Sequence, residues 1–368
     1  MDFYEYYKKW EDFNFDSFFS TVTPHQVNSI LKKDKLTEKD YLALLAPTAR
    51  KKLEPLARKA HLSTVQHFGR VIFLYAPLYL ANYCDSECLY CGFNVHNNFT
   101  RDKLSLSEVK KEARALRDKG LQHILLLTGC SREKTPVAYI KECVAEIRDM
   151  FASLAIEVYA LKTREYRSLI ESGVEGLTIY QEVYDQKRYS EVHPGGPKSN
   201  YQFRLQAPER GCRAGMRAVN IGALLGLGDW RREAFMAGLH AAYLQDKYPE
   251  VSINLSVPRL QPHLGNFEPD SVVSNQNLVQ IILAFRLFLP RVGINLSTRE
   301  TEELQDNLLP LGITKFSAES STAVGGYTSE GGTSQFEISD QRSVEQIKKL
   351  LLKKGYQPVF KNWHQNII

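Results

Sequence analysis

The sequence predicts an α/β protein built on a closed (β/α)8 barrel of the TIM type, with a helical extension before it and a helical tail after it. Three observations predict this. From Val71 onward, short β-rich apolar runs alternate with longer stretches of helical period. Eight such runs can be counted, and eight parallel strands imply a closed barrel. Polar residues collect directly after the runs, where a barrel of this kind keeps its chemistry.

Taken in order, residues 1–70 read as helices with polar interruptions. Thr23-Pro24 stands ahead of Val27 to Leu31, and Thr37-Glu38-Lys39-Asp40 ahead of Tyr41 to Leu45, the second in the Thr-x-x-Asp form of a helix start. Nothing there is catalytic, and packing against the barrel is the expected role, with partner contacts second. The barrel is assigned to residues 71–322. Its strands are read at 71–80, 123–127, 156–161, 176–180, 218–224, 251–255, 293–296 and 314–316. Helical runs lie at 107–119, 137–152, 164–172, 231–246, 277–287 and 300–307. Residues 323–368 form a C-terminal extension in which Gly325-Gly326 and Gly331-Gly332 mark a flexible loop before a helix at 341–352.

Length alone would allow two domains in 368 residues, but a barrel commonly takes about 250 as one unit and leaves room for both extensions. The formal charge of +5 is spread along the chain without a basic tract, which speaks against a nucleic-acid partner. Residues 1–20 are acidic and aromatic rather than a secretory leader, and no apolar run is long enough to span a bilayer. A cytoplasmic enzyme without membrane contact is expected.

Most of the functional information lies in Cys84, Cys88 and Cys91, a C-x3-C-x2-C segment just after the first apolar run. A closed zinc site wants four ligands, and His96 is the only nearby candidate for a fourth. A cubane 4Fe-4S cluster can take three thiolates and leave one iron open. Six cysteines are too sparse for a disulfide scaffold. The spacing, with the aromatic Tyr90 before the third cysteine, resembles the cluster loop of the radical S-adenosylmethionine enzymes. The barrel is then a radical SAM barrel, the open iron takes S-adenosyl-L-methionine, and Tyr90 and Phe93 fall on the cofactor side.

The other run ends are polar too: Thr128-Gly129-Cys130, Gln181-Glu182, Ser256-Val257-Pro258-Arg259, Ser297-Thr298-Arg299-Glu300 and Ser317 to Ser320. Two arginines, Arg259 and Arg299, are therefore expected to face one mouth. Gly129 is either a plain turn or a place where backbone carbonyls approach a ligand ammonium, with Thr128 beside it. Glu182 is either a helix-start carboxylate or a partner for a charged ligand. Arg210 and Arg213 are either a solvated face or, one of them, a bidentate clamp for the cofactor carboxylate. Side chains two apart on a strand share a face, so Ser297 and Arg299 can converge on one carboxylate; the alternative is a capping Ser and a surface Arg.

These stretches, with Asn82-Tyr83-Cys84, Tyr180-Gln181-Glu182-Val183-Tyr184, Val257-Pro258-Arg259-Leu260 and Leu296-Ser297-Thr298-Arg299-Glu300 foremost, resemble the 2-iminoacetate synthases, the tyrosine-lyase family of thiamine biosynthesis, over nearly the whole chain. The resemblance implies one 4Fe-4S cluster on Cys84, Cys88 and Cys91, and S-adenosyl-L-methionine bound through Tyr90, Phe93, Thr128, Gly129, Glu182 and either Arg210 or Arg213. It also implies L-tyrosine held by Ser297 and Arg299, and cleavage to 2-iminoacetate and p-cresol. Thiazole synthase and a reductant such as flavodoxin or ferredoxin are the implied protein partners, with the arm before Val71 and the segment after Gly325 as candidate docking surfaces. No catalytic, phenol-binding or radical-quenching residue can be assigned. The competing tyrosine lyase of hydrogenase maturation carries a second cysteine cluster, whereas Cys130, Cys143 and Cys212 lack ligand spacing. A noncatalytic iron-sulfur or zinc scaffold is the alternative of another class. One departure stands out: the family usually has Glu where this chain has Cys130.

Overall fold

The computed structural model of the chain describes residues 2–269, 271–329 and 332–361. Eight parallel strands form the barrel: β1 (Val71–Ala81), β2 (His123–Thr128), β3 (Ser153–Glu157), β4 (Val174–Thr178), β5 (Ala218–Gly222), β6 (Ser252–Ser256), β7 (Gly293–Leu296) and β8 (Lys315–Ser317). Each pairs with the next, and β8 and β2 both pair with β1, which closes the ring. The first strand is long enough to serve several neighbours at once. Its upper part runs beside β2, with Ala76 against Ile124, and its middle beside β8, with Phe73 against Lys315. A ninth strand that the sequence did not announce, β9 (Gln357–Val359), pairs with Val71 to Phe73 outside the barrel.

The crossover helices follow ordinary amphipathic logic. In Leu106–Asp118, Ser105 and Glu108 form a capping box, and Val109, Ala113 and Leu116 turn one stripe inward. The third and fourth strands begin two or three residues earlier than read, because Ser153-Leu154-Ala155 lacks β-branched residues while buried Val158 and Tyr159 continue the apolar run past the strand end. Between β4 and β5 the chain makes three short helices, Gln186–Val192, Tyr201–Leu205 and Ala207–Ala214, where no single helical run was legible.

The N-terminal arm packs on the barrel helices. Phe3 stacks on His240 with ring centroids 3.9 Å apart, and Tyr41 on Phe288 at 4.5 Å. Gly238 is needed there, since a Cβ would lie 2.5 Å from the Tyr41 hydroxyl. Among the described residues no helix is long and apolar enough to cross a membrane.

The segment after β8 is not a free tail. Tyr327 donates from its hydroxyl to the Pro77 carbonyl at 2.7 Å, the Glu337 amide to Pro262 at 2.9 Å, and the amides of Ser339 and Asp340 to the Thr298 carbonyl at 2.9 and 3.1 Å. Residues 332–340 therefore roof the carboxyl end of the barrel. Gly325 takes φ +71°, as a turn glycine can, and Gly331 lies outside the described residues.

Candidate active site

The cysteine segment leaves β1 at Ala81 and is pinned from three sides. Asn82, buried, accepts the Asp102 amide on its side chain at 2.6 Å, and the Arg101 guanidinium donates to the carbonyls of Asn82, Phe93 and Asn94 at 2.9, 2.9 and 2.6 Å. Three glycines permit the contact with neighbouring loops. A Cβ on Gly129 would stand 2.2 Å from the Tyr83 carbonyl, one on Gly196 2.2 Å from the Asp85 carbonyl, and one on Gly195 2.6 Å from the Glu87 carboxylate.

Cys88 is buried and Cys84 and Cys91 half-buried, all as free thiols. A hydrogen bond from Cys130 holds the Cys84 thiol below its ordinary value, whereas burial pushes Cys88 up to about 12 and Cys91 upward. Among the described residues no group of three His, Cys, Asp or Glu side chains could hold a single metal ion. A cubane cluster does not ask for convergence on one point, because each thiolate takes a different iron. The donor set, three thiols on one clamped loop with their charges mutually coupled, fits that group. An orphaned polar atom adds to the fit: the Thr128 hydroxyl, at the end of β2 beside the loop, is buried without a hydrogen-bond partner among the described residues.

Under the loop lies a cavity lined by Tyr75, Tyr79, Tyr90, Glu157, Tyr180, Glu182, Lys198, Ser297 and Arg299, among others. Tyr90 presents its ring there and hydrogen-bonds through its hydroxyl to His193 Nε2 at 2.7 Å. Phe93 does not line the cavity; it is buried edge-on to Tyr79 and beside Phe99, in the core of the loop. Gly129 serves chiefly to seat the cysteine segment, its amide donating to the Ala81 carbonyl at 3.1 Å.

Glu182 follows β4 with φ +70°, a left-handed conformation rare for a residue with a side chain and the kind of strain kept at functional sites. Its carboxylate meets Lys198 Nζ at 2.7 Å and Arg204 at 3.3 Å. Burial by itself would raise the Glu182 carboxyl, but the two cations outweigh it and hold the group below the usual range. The same trio leaves one surplus positive charge, with Lys198 and Arg204 both pushed upward by Glu182 against their own burial.

Arg210 and Arg213 do not reach the cavity. Arg210 donates to the Leu161 and Phe203 carbonyls at 2.8 and 2.6 Å, and Arg213 pairs with Glu209 at 2.7 Å on the outer helix Ala207–Ala214. The buried arginine of this stretch is Arg204, which a reading without the short helices could not place. Arg259 is likewise occupied, gripping the buried Glu300 and the Val273 carbonyl. Only Arg299 of the expected pair opens on the mouth.

Ser297 and Arg299 both line the cavity, though not by strand alternation. β7 ends at Leu296, and 297–300 is a turn in which the Glu300 amide donates to the Ser297 carbonyl at 3.4 Å. Arg299 lies over the Phe336 ring at 3.4 Å from its centroid, and among the described residues its guanidinium makes no hydrogen bond or ion pair.

Several lining groups went unread. Glu157, the last residue of β3, has its carboxyl raised to about 7 by burial and by nearby Glu182. It was hidden because the strand was placed three residues late. Gln335 bridges the roof to the floor, accepting from the Tyr79 hydroxyl at 2.7 Å while its Nε2 stands 3.6 Å from the Cys91 sulfur. No local pattern in a glycine-rich loop could have announced it.

Residues 78–237 match the model of the radical SAM superfamily, and residues 256–357 that of the biotin and thiamin synthesis associated domain. The 2-iminoacetate synthase of Escherichia coli (strain K12) is 37% identical over 96% of this chain and 96% of its own length. The 2-iminoacetate synthase of Salmonella typhimurium (strain LT2) is 38% identical over 93% and 91%. Among solved structures, HydG, a maturase of the [FeFe]-hydrogenase, superposes with a TM-score of 0.90 at 29% identity, over 95% of this chain and 80% of that one. Taken with the clamped cysteine loop over a cavity that holds a free arginine, these matches show that the chain belongs to the 2-iminoacetate synthase family of radical SAM enzymes.

Proposed function

We propose that this enzyme cleaves the Cα–Cβ bond of L-tyrosine to give 2-iminoacetate and p-cresol. The observation that carries the reading is Arg299, without a hydrogen bond or ion pair among the described residues and stacked on Phe336, beside Ser297 in a cavity whose wall includes Tyr75, Tyr79 and Tyr180. A planar guanidinium with no internal partner suits a carboxylate ligand, and Ser297 adds a hydroxyl donor to it. Tyr75, Tyr79 and Tyr180 offer an aromatic wall to a phenol ring.

Cys84, Cys88 and Cys91 would hold the 4Fe-4S cluster, and Tyr90, Thr128 and Gly129 would border S-adenosyl-L-methionine. When bound, these cofactors supply the 5'-deoxyadenosyl radical, with methionine as coproduct. The protein's own tasks are positional. Lys198 and Arg204, fixed by Glu182, give the cofactor side of the cavity a surplus positive charge suited to a carboxylate. Glu157 lines the same cavity, and a carboxyl with its raised proton affinity could take the proton from a substrate ammonium. The roof through Gln335 and Phe336 covers part of the cavity and would limit the access of water to it.

On this reading residues 71–322 with the roof form the catalytic unit, and residues 1–70 are a packing arm. Both readings take tyrosine as substrate, and higher identity with fuller mutual coverage favours the thiamine lyases over the hydrogenase maturases. An imine that hydrolyses in water gains from a nearby consumer, so we assign thiazole synthase as partner and a flavodoxin or ferredoxin as reductant. The roofing role of residues 332–340 leaves the outer face of the N-terminal arm as the docking surface. The test is anaerobic reconstitution, reduction and incubation with S-adenosylmethionine and tyrosine. We expect 5'-deoxyadenosine, p-cresol and glyoxylate with ammonia in equal amounts; near-stoichiometric carbon monoxide would overturn the assignment.

A further inference from the structure

Cys130 is not one of the three loop cysteines, yet the fold presses it against one of them. The Ala81 to Thr128 pairing of β1 and β2 brings the two strand ends level, and the Gly129 amide bonds to the Ala81 carbonyl at 3.1 Å. One residue further, the Asp85 amide donates to the Cys130 carbonyl at 3.0 Å. A Cβ built on Gly129 would stand 3.2 Å from the Cβ of Cys84, so the two backbones touch with nothing between them. Cys84 and Cys130 therefore leave adjoining backbone side by side at the two strand ends.

The other two cysteines are anchored elsewhere. The Glu87 and Leu89 amides, either side of Cys88, donate to the Gly195 and Val192 carbonyls, both at 3.1 Å, and Cys91 is approached by Gln335 of the roof. Cys84 is thus tied to β2, while Cys88 and Cys91 are tied to the 192–195 loop and the roof.

We propose that Cys84 and Cys130 are a redox pair that closes to a disulfide when the loop lacks its iron and meets peroxide. The proposal rests on the assignment of Cys84 as a cluster ligand. The chemistry balances with hydrogen peroxide as the oxidant. Cys84 sulfur attacks one oxygen, the O–O bond breaks, and a sulfenic acid and water result. Cys130 sulfur then displaces the hydroxyl, forming the S–S bond and releasing a second water. The bond withholds one ligand from iron but spares that sulfur from irreversible oxidation, and a dithiol reductant restores it.

The sequence makes the pair readable by peptide mapping. Trypsin leaves Cys84, Cys88 and Cys91 on peptide 71–101 and Cys130 on 120–132, and cleavage after Glu87 separates Cys84 from the other two. Full-length protein stripped of iron without air, treated with hydrogen peroxide and alkylated should yield 71–87 joined to 120–132. A bridge within 71–101, such as Cys88 to Cys91, with Cys130 alkylated would overturn the proposal. Iron uptake supplies the second readout. Peroxide-treated wild type should bind several-fold less iron until dithiothreitol is added, whereas Cys130→Ser, checked for folding by circular dichroism, should lose iron binding that dithiothreitol does not restore, because its Cys84 has no partner to resolve the sulfenic acid. Full recovery of iron binding by dithiothreitol in the variant would overturn the pairing. Full iron binding by Cys84→Ala would instead refute the cluster assignment and leave the mapped cross-link standing.

Discussion

Replacing Arg299 with Ala tests the reading where it is most exposed to failure. The guanidinium has no ion pair among the described residues, but it is the strongest cation acting on Glu157, so its removal lets that carboxyl hold its proton more firmly. The loss to the folded protein is the stack on Phe336, about 0.5 to 1 kcal/mol. The loss to tyrosine is larger, because a charge-assisted bidentate bond in a sheltered site contributes roughly 2 to 4 kcal/mol, or about 30- to 700-fold in affinity. Titration with tyrosine under anaerobic conditions, following p-cresol, should show KM rising by that factor while tyrosine-independent formation of 5'-deoxyadenosine persists. Arg299→Lys should recover part of it. Arg259→Ala is the contrasting control: it leaves Glu300, only 2% exposed, buried without its partner, which costs about 3 to 5 kcal/mol of stability. Unchanged tyrosine kinetics in Arg299→Ala would refute the assignment of the carboxylate site.

Single Ala replacements of Cys84, Cys88 or Cys91 should abolish both iron binding and 5'-deoxyadenosine formation, whereas Cys143→Ser and Cys212→Ser should keep their iron; iron loss in either of the latter would contradict the ligand set. Glu157 makes a pH prediction. Its carboxyl, raised to about 7, holds a proton in the folded state that the unfolded chain has already released above the ordinary carboxylate range, so stability falls as pH rises through that window. Glu157→Gln should therefore be stabilised by up to about 3 kcal/mol at pH 8 and by nothing at pH 4; urea melts showing the reverse order would remove the buried acid from the argument. Glu182 behaves oppositely, since its depressed carboxyl contributes stability above the usual range that is lost on acidification. Lys198→Met should cost about 2 kcal/mol or more at pH 7, with the gap to wild type narrowing toward pH 3, as measured by the same melts.

The barrel was legible because each strand is a short apolar run with a polar residue at its exit, and eight of them leave one parallel closure. The seventh strand was placed on its observed residues, 293–296, since Gly293 and Ser297 punctuate it. The cysteine loop was legible for the same reason of locality: three ligands within eight residues carry their spacing in the chain itself. What escaped was assembled from afar. Arg204 rather than Arg210 or Arg213 met Glu182, and this was not legible because residues 179–217, between β4 and β5, break into short helices whose phases do not add up to one pattern. The convergence of Ser297 with Arg299 was foreseen for a reason that does not operate, since a turn and not strand alternation brings them together. Gln335 and Phe336 come from a segment without periodicity, and only the contacts of the roof reveal them.

Two amides of that roof, from Ser339 and Asp340, share the carbonyl of Thr298, the residue between Ser297 and Arg299. The roof and the turn are therefore joined backbone to backbone. If the turn holds a carboxylate as proposed, any movement of the roof would disturb that hold through the shared carbonyl. The converse applies on arrival, when seating a carboxylate steadies the turn and with it the closed roof. For a product that water destroys, this arrangement would set a useful order, with confinement and grip ending together.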